Sequence, residues 1–149
     1  MTDASSVQVP TARFVNPEAI HRPTGYTHVV EVTAGRPVYV SGQVALDPSG
    51  AVVGEGDLRA QAVQVFENLR VALAAVGAGF DHVVKLNLYL LDAAQLPVVR
   101  EVRDQYVDVR QPPASTAVEV RRLAREEFLI EVEAVAVIAT VQPLGPAPA

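Results

Sequence analysis

The stretch Leu129-Ile130-Glu131-Val132-Glu133-Ala134-Val135-Ala136-Val137-Ile138 decides the fold. It reads as a strand, expected over residues 129–141 and the longest in the chain. Successive side chains of a strand point to opposite faces. Ile130, Val132, Ala134 and Ala136 therefore share one side, and Glu131, Glu133, Val135 and Val137 the other. The first set is apolar throughout and reads as the face beneath helices. The second mixes acids with valines, which is odd for open solvent and suits a subunit interface containing a polar pocket.

Working outward, residues 115–123 form the preceding strand, joined to the last by Ala124-Arg125-Glu126-Glu127, a solvated turn of paired charges. Residues 83–91 (VVKLNLYLL) alternate Lys85, Asn87 and Tyr89 against Val84, Leu86, Leu88 and Leu90, so this strand also has one apolar and one mixed face. Two helices lie between the strands. Asp57 caps the first, in which Ala62, Val65, Leu69, Ala72, Leu73 and Val76 recur at steps of three or four before Gly77 and Gly79 end it. The second starts near Pro97, places Leu96, Val99, Val102 or Arg103 and Tyr106 on one face, and runs to about Val109 before Pro112-Pro113. Nearer the start, residues 29–32 and 38–44 are β-branched runs separated by Ala34-Gly35-Arg36-Pro37 and read as a β-hairpin, with a tight turn at Asp47-Pro48-Ser49-Gly50. The expected order is β-β-α-β-α-β-β, an α+β domain. Residues 1–15 are expected to be a flexible arm with a short strand at most, 16–141 a single domain, and 142–149 a disordered tail.

Composition narrows the chemistry. The chain has 149 residues, 12 Lys+Arg against 17 Asp+Glu, a net charge of -5, and no cysteine or tryptophan. A domain of this size buries roughly 68–70% of the surface its unfolded chain exposes, so it needs no disulfide or structural metal. The absence of cysteine rules out thiol catalysis and thiolate metal sites. An acidic balance with 5% aromatic residues argues against nucleic-acid binding. The apolar run 134–139 falls far short of the ~20 residues of a spanning helix. Residues 1–10 carry Asp3 where a secretory signal needs a basic start, so the expectation is a cytoplasmic protein with no membrane partner. His21, His28 and His82 are too scattered to argue for a metal site.

The segments Val40-Ser41-Gly42-Gln43-Val44 with Asp47-Pro48, residues 61–69 (QAVQVFENL), Val84-Lys85 with Tyr89 and Asp92, residues 113–120 (PASTAVEV) and residues 130–137 (IEVEAVAV) occur in an ordered set at consistent spacing. The set resembles the RidA/YjgF family, also named reactive intermediate deaminase and endoribonuclease L-PSP. The resemblance implies a chorismate-mutase-like fold and a homotrimer, with the sheets forming a central barrel and the helices outside. It also implies clefts between subunits that hydrolyse imines and enamines of 2-amino acids without metal or organic cofactor.

Carried over residue by residue, the resemblance puts Glu133 where a glutamate positions the attacking water. Tyr26 falls where a tyrosine lines the cleft, Gly42 where the backbone lies close to the ligand, and Ala117 where deaminases hold a cysteine; in such a cleft Thr116 is expected to offer a hydroxyl hydrogen bond. Ser115 stands at the position of the arginine that clamps the substrate carboxylate: the deaminase pattern is Pro-Ala-Arg and this chain reads Pro113-Ala114-Ser115. Serine offers one neutral donor in place of a charged fork. Charge-assisted hydrogen bonds contribute about 1.5–3 kcal/mol, so 2-imino acid binding is expected to be roughly ten- to a hundred-fold weaker. Arg100, aligned near a cleft-lining asparagine, and Arg110 are the two candidates for a compensating charge. By residue type alone Glu133 reads equally as an interface acid paired with an arginine, Tyr26 as a packing tyrosine, and Gly42 as a strand bulge.

Two functions follow. The first is a deaminase-like hydrolase of small imines, enamines or related reactive carbonyl compounds. The second is a non-catalytic protein that binds a small metabolite on the same trimer. Ribonuclease activity has only the family's older name behind it.

Overall fold

The alternation at 130–138 becomes the inner part of a four-stranded sheet in the computed structural model, which describes residues 11–140. Strand β6, Ile130–Ile138, runs antiparallel to β3, Arg36–Gln43, on one side and to β4, Val83–Leu90, on the other. Strand β5, Ala114–Glu119, is parallel to β4, giving the order β3-β6-β4-β5. Parallel neighbours need a crossover. Helix α2, Leu96–Arg103, lies in the connection between them. Helix α1, Leu58–Ala74, packs against α2, β6 and β3. Ile130, Val132, Ala134 and Ala136 are at most 2% exposed and join the core with Leu86, Leu88 and Phe66. The apolar side of the last strand is thus the side beneath the helices. Each of the larger of these side chains, the Ile, Val, Leu and Phe, contributes roughly 1.5–3 kcal/mol on burial.

Helix α1 begins at Asp57, whose carboxylate accepts a hydrogen bond from the Ala60 amide at 3.0 Å. Its buried stripe includes a polar residue. Gln61 is fully buried; its amide donates to the carbonyls of Gly54 and Glu127 at 3.2 and 2.7 Å, and its Oε1 accepts from the Leu129 amide at 2.8 Å. This pins the start of α1 to the chain entering β6.

Three expectations are corrected. Residues 29–32 and 38–44 do not form a hairpin. Strand β2, Val29–Val32, pairs antiparallel with β1, Ala12–Val15, in a separate two-stranded sheet, while β3 pairs with β6. The cause is the turn between them. Gly35, at φ +110°, lies so close to the Ile138 carbonyl and the Val137 side chain that a Cβ there would come within 2.7 Å of both. The chain is thereby delivered to β6 instead of folding back on β2. The second helix ends at Arg103 rather than about Val109, because Gln105 and Tyr106 donate to residues three back, Val102 and Arg103, in a tightened last turn. The turn carries the Tyr106 ring onto Phe66, with centroids 5.3 Å apart. Finally, β5 ends at Glu119, not 123. The observed order gains one strand at its start, at Ala12–Val15. Residues 1–10 of the expected arm and the expected tail, 142–149, lie outside the described residues. Among the described residues, no helix is long and apolar enough to cross a membrane.

Candidate functional site

The helix-free side of the sheet carries the polar residues. Register places Asn87 opposite Glu133 and Tyr89 opposite Glu131 on β4 and β6, with Thr116 beside Asn87 on β5. Asn87 Nδ2 donates to Glu133 Oε1 at 2.7 Å, and the Tyr89 hydroxyl donates to the same oxygen at 2.9 Å. Both donors hold one carboxylate oxygen and leave Oε2 for a ligand or water. The hydrogen bond to Glu133 is the main reason the Tyr89 phenol is held above its ordinary pKa, with burial and the charges of Glu133 and Glu131 adding to it. It therefore stays a donor. Lys85 Nζ donates to Thr116 Oγ1 at 2.7 Å, and burial pushes the Lys85 pKa below the usual lysine value. Gly42 sits where the β3–β6 register slips between Val40 and Gln43. A Cβ there would collide with the Glu131 carboxylate. The glycine is thus both a bulge and a close approach to an acid of this face.

Ser115 and Ala117 point the other way, since their register partners Leu86 and Leu88 are core residues. With Tyr26, Leu88, Leu96, Arg100 and Arg103 they line a cleft of about 170 Å³ between β5 and α2. The Tyr26 hydroxyl is hydrogen-bonded to His21 Nε2 at 2.9 Å; His28 Nε2 meets the His21 carbonyl at 2.7 Å, and the His28 ring stands edge-on to both. Two histidines that look scattered in the chain thus buttress the cleft tyrosine. Arg110 is not in this cleft. It is bound to the Asp108 carboxylate at 3.1 Å and raises no charge beside Ser115.

The expected site residues are therefore divided by the sheet itself. Tyr26, Arg100, Ser115 and Ala117 come together on the helix side, and Glu133 and Thr116 on the open side, with Gly42 by the neighbouring Glu131. Sequence reading missed Arg103, Asn87 and Tyr89. The alternation of Lys85, Asn87 and Tyr89 marks the face but not the partner, which depends on the β4–β6 register.

The family model for Endoribonuclease L-PSP matches residues 16–138. The chain belongs to the RidA/YjgF family. As a Rid chain it is 40% identical to protein DfrA of Myxococcus xanthus over 112 residues, 75% of this chain and 84% of that one. It is 37% identical to the 2-iminobutanoate/2-iminopropanoate deaminase of Mus musculus over 112 residues, 75% of this chain and 80% of the mouse protein. Among solved structures, the Rid-family protein YyfB from Yersinia pestis superposes with a TM-score of 0.78 at 35% identity, covering 87% of this chain and 100% of that one. The α+β class expected from the strand pattern and the Rid fold implied by the resemblance are both observed.

Proposed function

We propose that this Rid chain is a cytoplasmic, cofactor-free hydrolase of small imines or enamines, working in clefts formed between copies of itself in a homotrimer. The observation that carries the activity is the Glu133 carboxylate, fixed by Asn87 and Tyr89 on an open sheet face. A family that includes 2-iminobutanoate/2-iminopropanoate deaminases supports it. A water held on Glu133 Oε2 attacks the C=N carbon, and the carboxylate takes the proton released as the new C–O bond forms. That proton passes to nitrogen to give a carbinolamine; the carboxylate then moves the new hydroxyl's proton to the amine, the C–N bond breaks as the C=O bond forms, and ammonia and a carbonyl compound leave. The hydroxyl of Thr116 and the backbone at Gly42 offer hydrogen bonds on the Glu133 side; Tyr26, Ser115 and Ala117 wall the substrate on the other. Because the sheet separates these two sets within one chain, a cleft containing both draws them from two copies. Exposed apolar side chains such as Tyr39 on the open face, 79% exposed, fit a surface that a second copy covers.

The test is ammonia release from 2-iminobutanoate generated in place. Wild-type turnover is expected, with Glu133→Gln slower by about 10²-fold or more. Equal rates for the two proteins would overturn the mechanism. Ser115, with its single neutral donor, favours one other reading, a trimer that binds a small metabolite without turning it over. Ligand binding with no ammonia from the wild type, and ammonia from Ser115→Arg, would establish that reading instead.

A further inference from the structure

Arg103 is the one buried charged side chain among the described residues, 5% exposed. An arginine guanidinium is a cation with five N–H donors and no acceptor. Burying such a group is costly unless it is paired, and an aliphatic side chain would fill the same place as well or better. The chain supplies one carboxylate. Nε and Nη2 of Arg103 both donate to Oδ1 of Asp104, at 2.9 and 2.6 Å, and that carboxylate is itself 42% exposed. Nη1 has no bond to the described residues, yet no buried side-chain nitrogen or oxygen lacks a partner, so Nη1 reaches open space. The open space beside Arg103 is the cleft lined by Ser115, Ala117, Leu88, Leu96 and Tyr26, and by a second cation, Arg100, which is less buried than Arg103. Gly25 backs the group from behind, at φ +77°; a Cβ there would lie 3.0 Å from Nη2.

We infer that Arg103 is the specificity-determining cation of this cleft and that its free Nη1 edge, with the Ser115 hydroxyl, receives the carboxylate of a small 2-imino or 2-oxo acid. It deepens the proposed function and rests on it for the substrate class. Arg103 does from α2 what the arginine of the family's deaminase pattern does from β5, and Ser115 leaves room for it. Leu88, Leu96 and Ala117 take the short apolar chain. The cleft, about 170 Å³, holds the equivalent of roughly six waters, which suits an acid of a few carbons.

The test is calorimetric titration of the full chain with 2-oxobutanoate and with its uncharged counterpart 2-oxobutanamide. Wild type is expected to bind the acid at least tenfold more tightly than the amide. Arg103→Met erases that preference, weakening the acid by about ten- to a hundred-fold and leaving the amide unchanged; Arg103→Lys falls between, having charge without the fork. Asp104→Asn keeps Arg103 and removes its competitor, so the acid binds more tightly. Adding Ser115→Arg to Arg103→Met restores the preference. No preference in the wild type, or a preference that survives Arg103→Met, overturns the inference. If Arg103→Met fails to fold, Asp104→Asn decides: unchanged acid affinity overturns it. Ammonia release measured on the same proteins separates the two claims. Carboxylate selectivity without turnover sinks the hydrolase alone, and turnover with an unaltered KM in Arg103→Met sinks the Arg103 assignment alone.

Discussion

Two tyrosines show how one side-chain contact sets a local property. Tyr89 touches Glu133 through a single hydroxyl, so it is a positioning residue. Tyr89→Phe is expected to lower kcat for imine hydrolysis about tenfold while KM holds, since the lost hydrogen bond aims the carboxylate and does not bind substrate. A change confined to KM would contradict that role. Tyr106 donates to Glu67 at 2.9 Å, and burial, then this bond, push its phenol up to about 12 from an ordinary 10.0. The folded state thus favours the neutral phenol. Its contribution to stability is complete below pH 10.0 and is lost as pH rises toward about 12. Urea unfolding across that window should show a smaller alkaline loss in Tyr106→Phe than in wild type; parallel losses would refute it. Glu133 was legible in the sequence because alternation alone sorts it onto the mixed face. Arg103 was not, because helical spacing left Val102 and Arg103 as rivals for one apolar stripe, and only the packed structure shows both buried.

The elements differ in how far local pattern determines them. Strand β6 was readable because its neighbours on both sides only confirm a periodicity already present in its own residues. The β2–β3 hairpin was misread for the complementary reason. Two β-branched runs around a turn look alike whether they pair with each other or with distant strands, and here Ala12–Val15 and Ile138 claim them. Helix α1 was legible in its cap and apolar steps, but not in Gln61, whose three bonds to backbone, two of them to residues more than sixty positions away, no periodicity reveals. Gln61→Leu keeps the volume and leaves those backbone groups unpaired, so unfolding free energy should fall by about 2–4 kcal/mol. Denaturant unfolding checks it, and a loss below half a kcal/mol would show that water or rearrangement satisfies the site.

At the scale of the whole molecule, the sheet is a wall with half of a site on each side. One face offers a carboxylate fixed by Asn87 and Tyr89, and the other a cleft whose lining includes no carboxylate. The polar-and-valine face of the last strand is the face that the proposed assembly would cover. The division of the site between two faces was not readable, because Ser115 and Thr116 are adjacent in sequence and part only through the pleat of β5. The proposed assembly of identical copies would join the halves by symmetry. The most direct measurement is ammonia release from mixed assemblies of two inactive chains, Glu133→Gln and Ala117→Trp, the second filling the pocket. Co-expressed, the two should regain about a quarter of wild-type activity, since random pairing of half-sites leaves that share of clefts intact. If each chain alone is inactive and the mixture stays inactive as well, the site does not form between copies and the account fails.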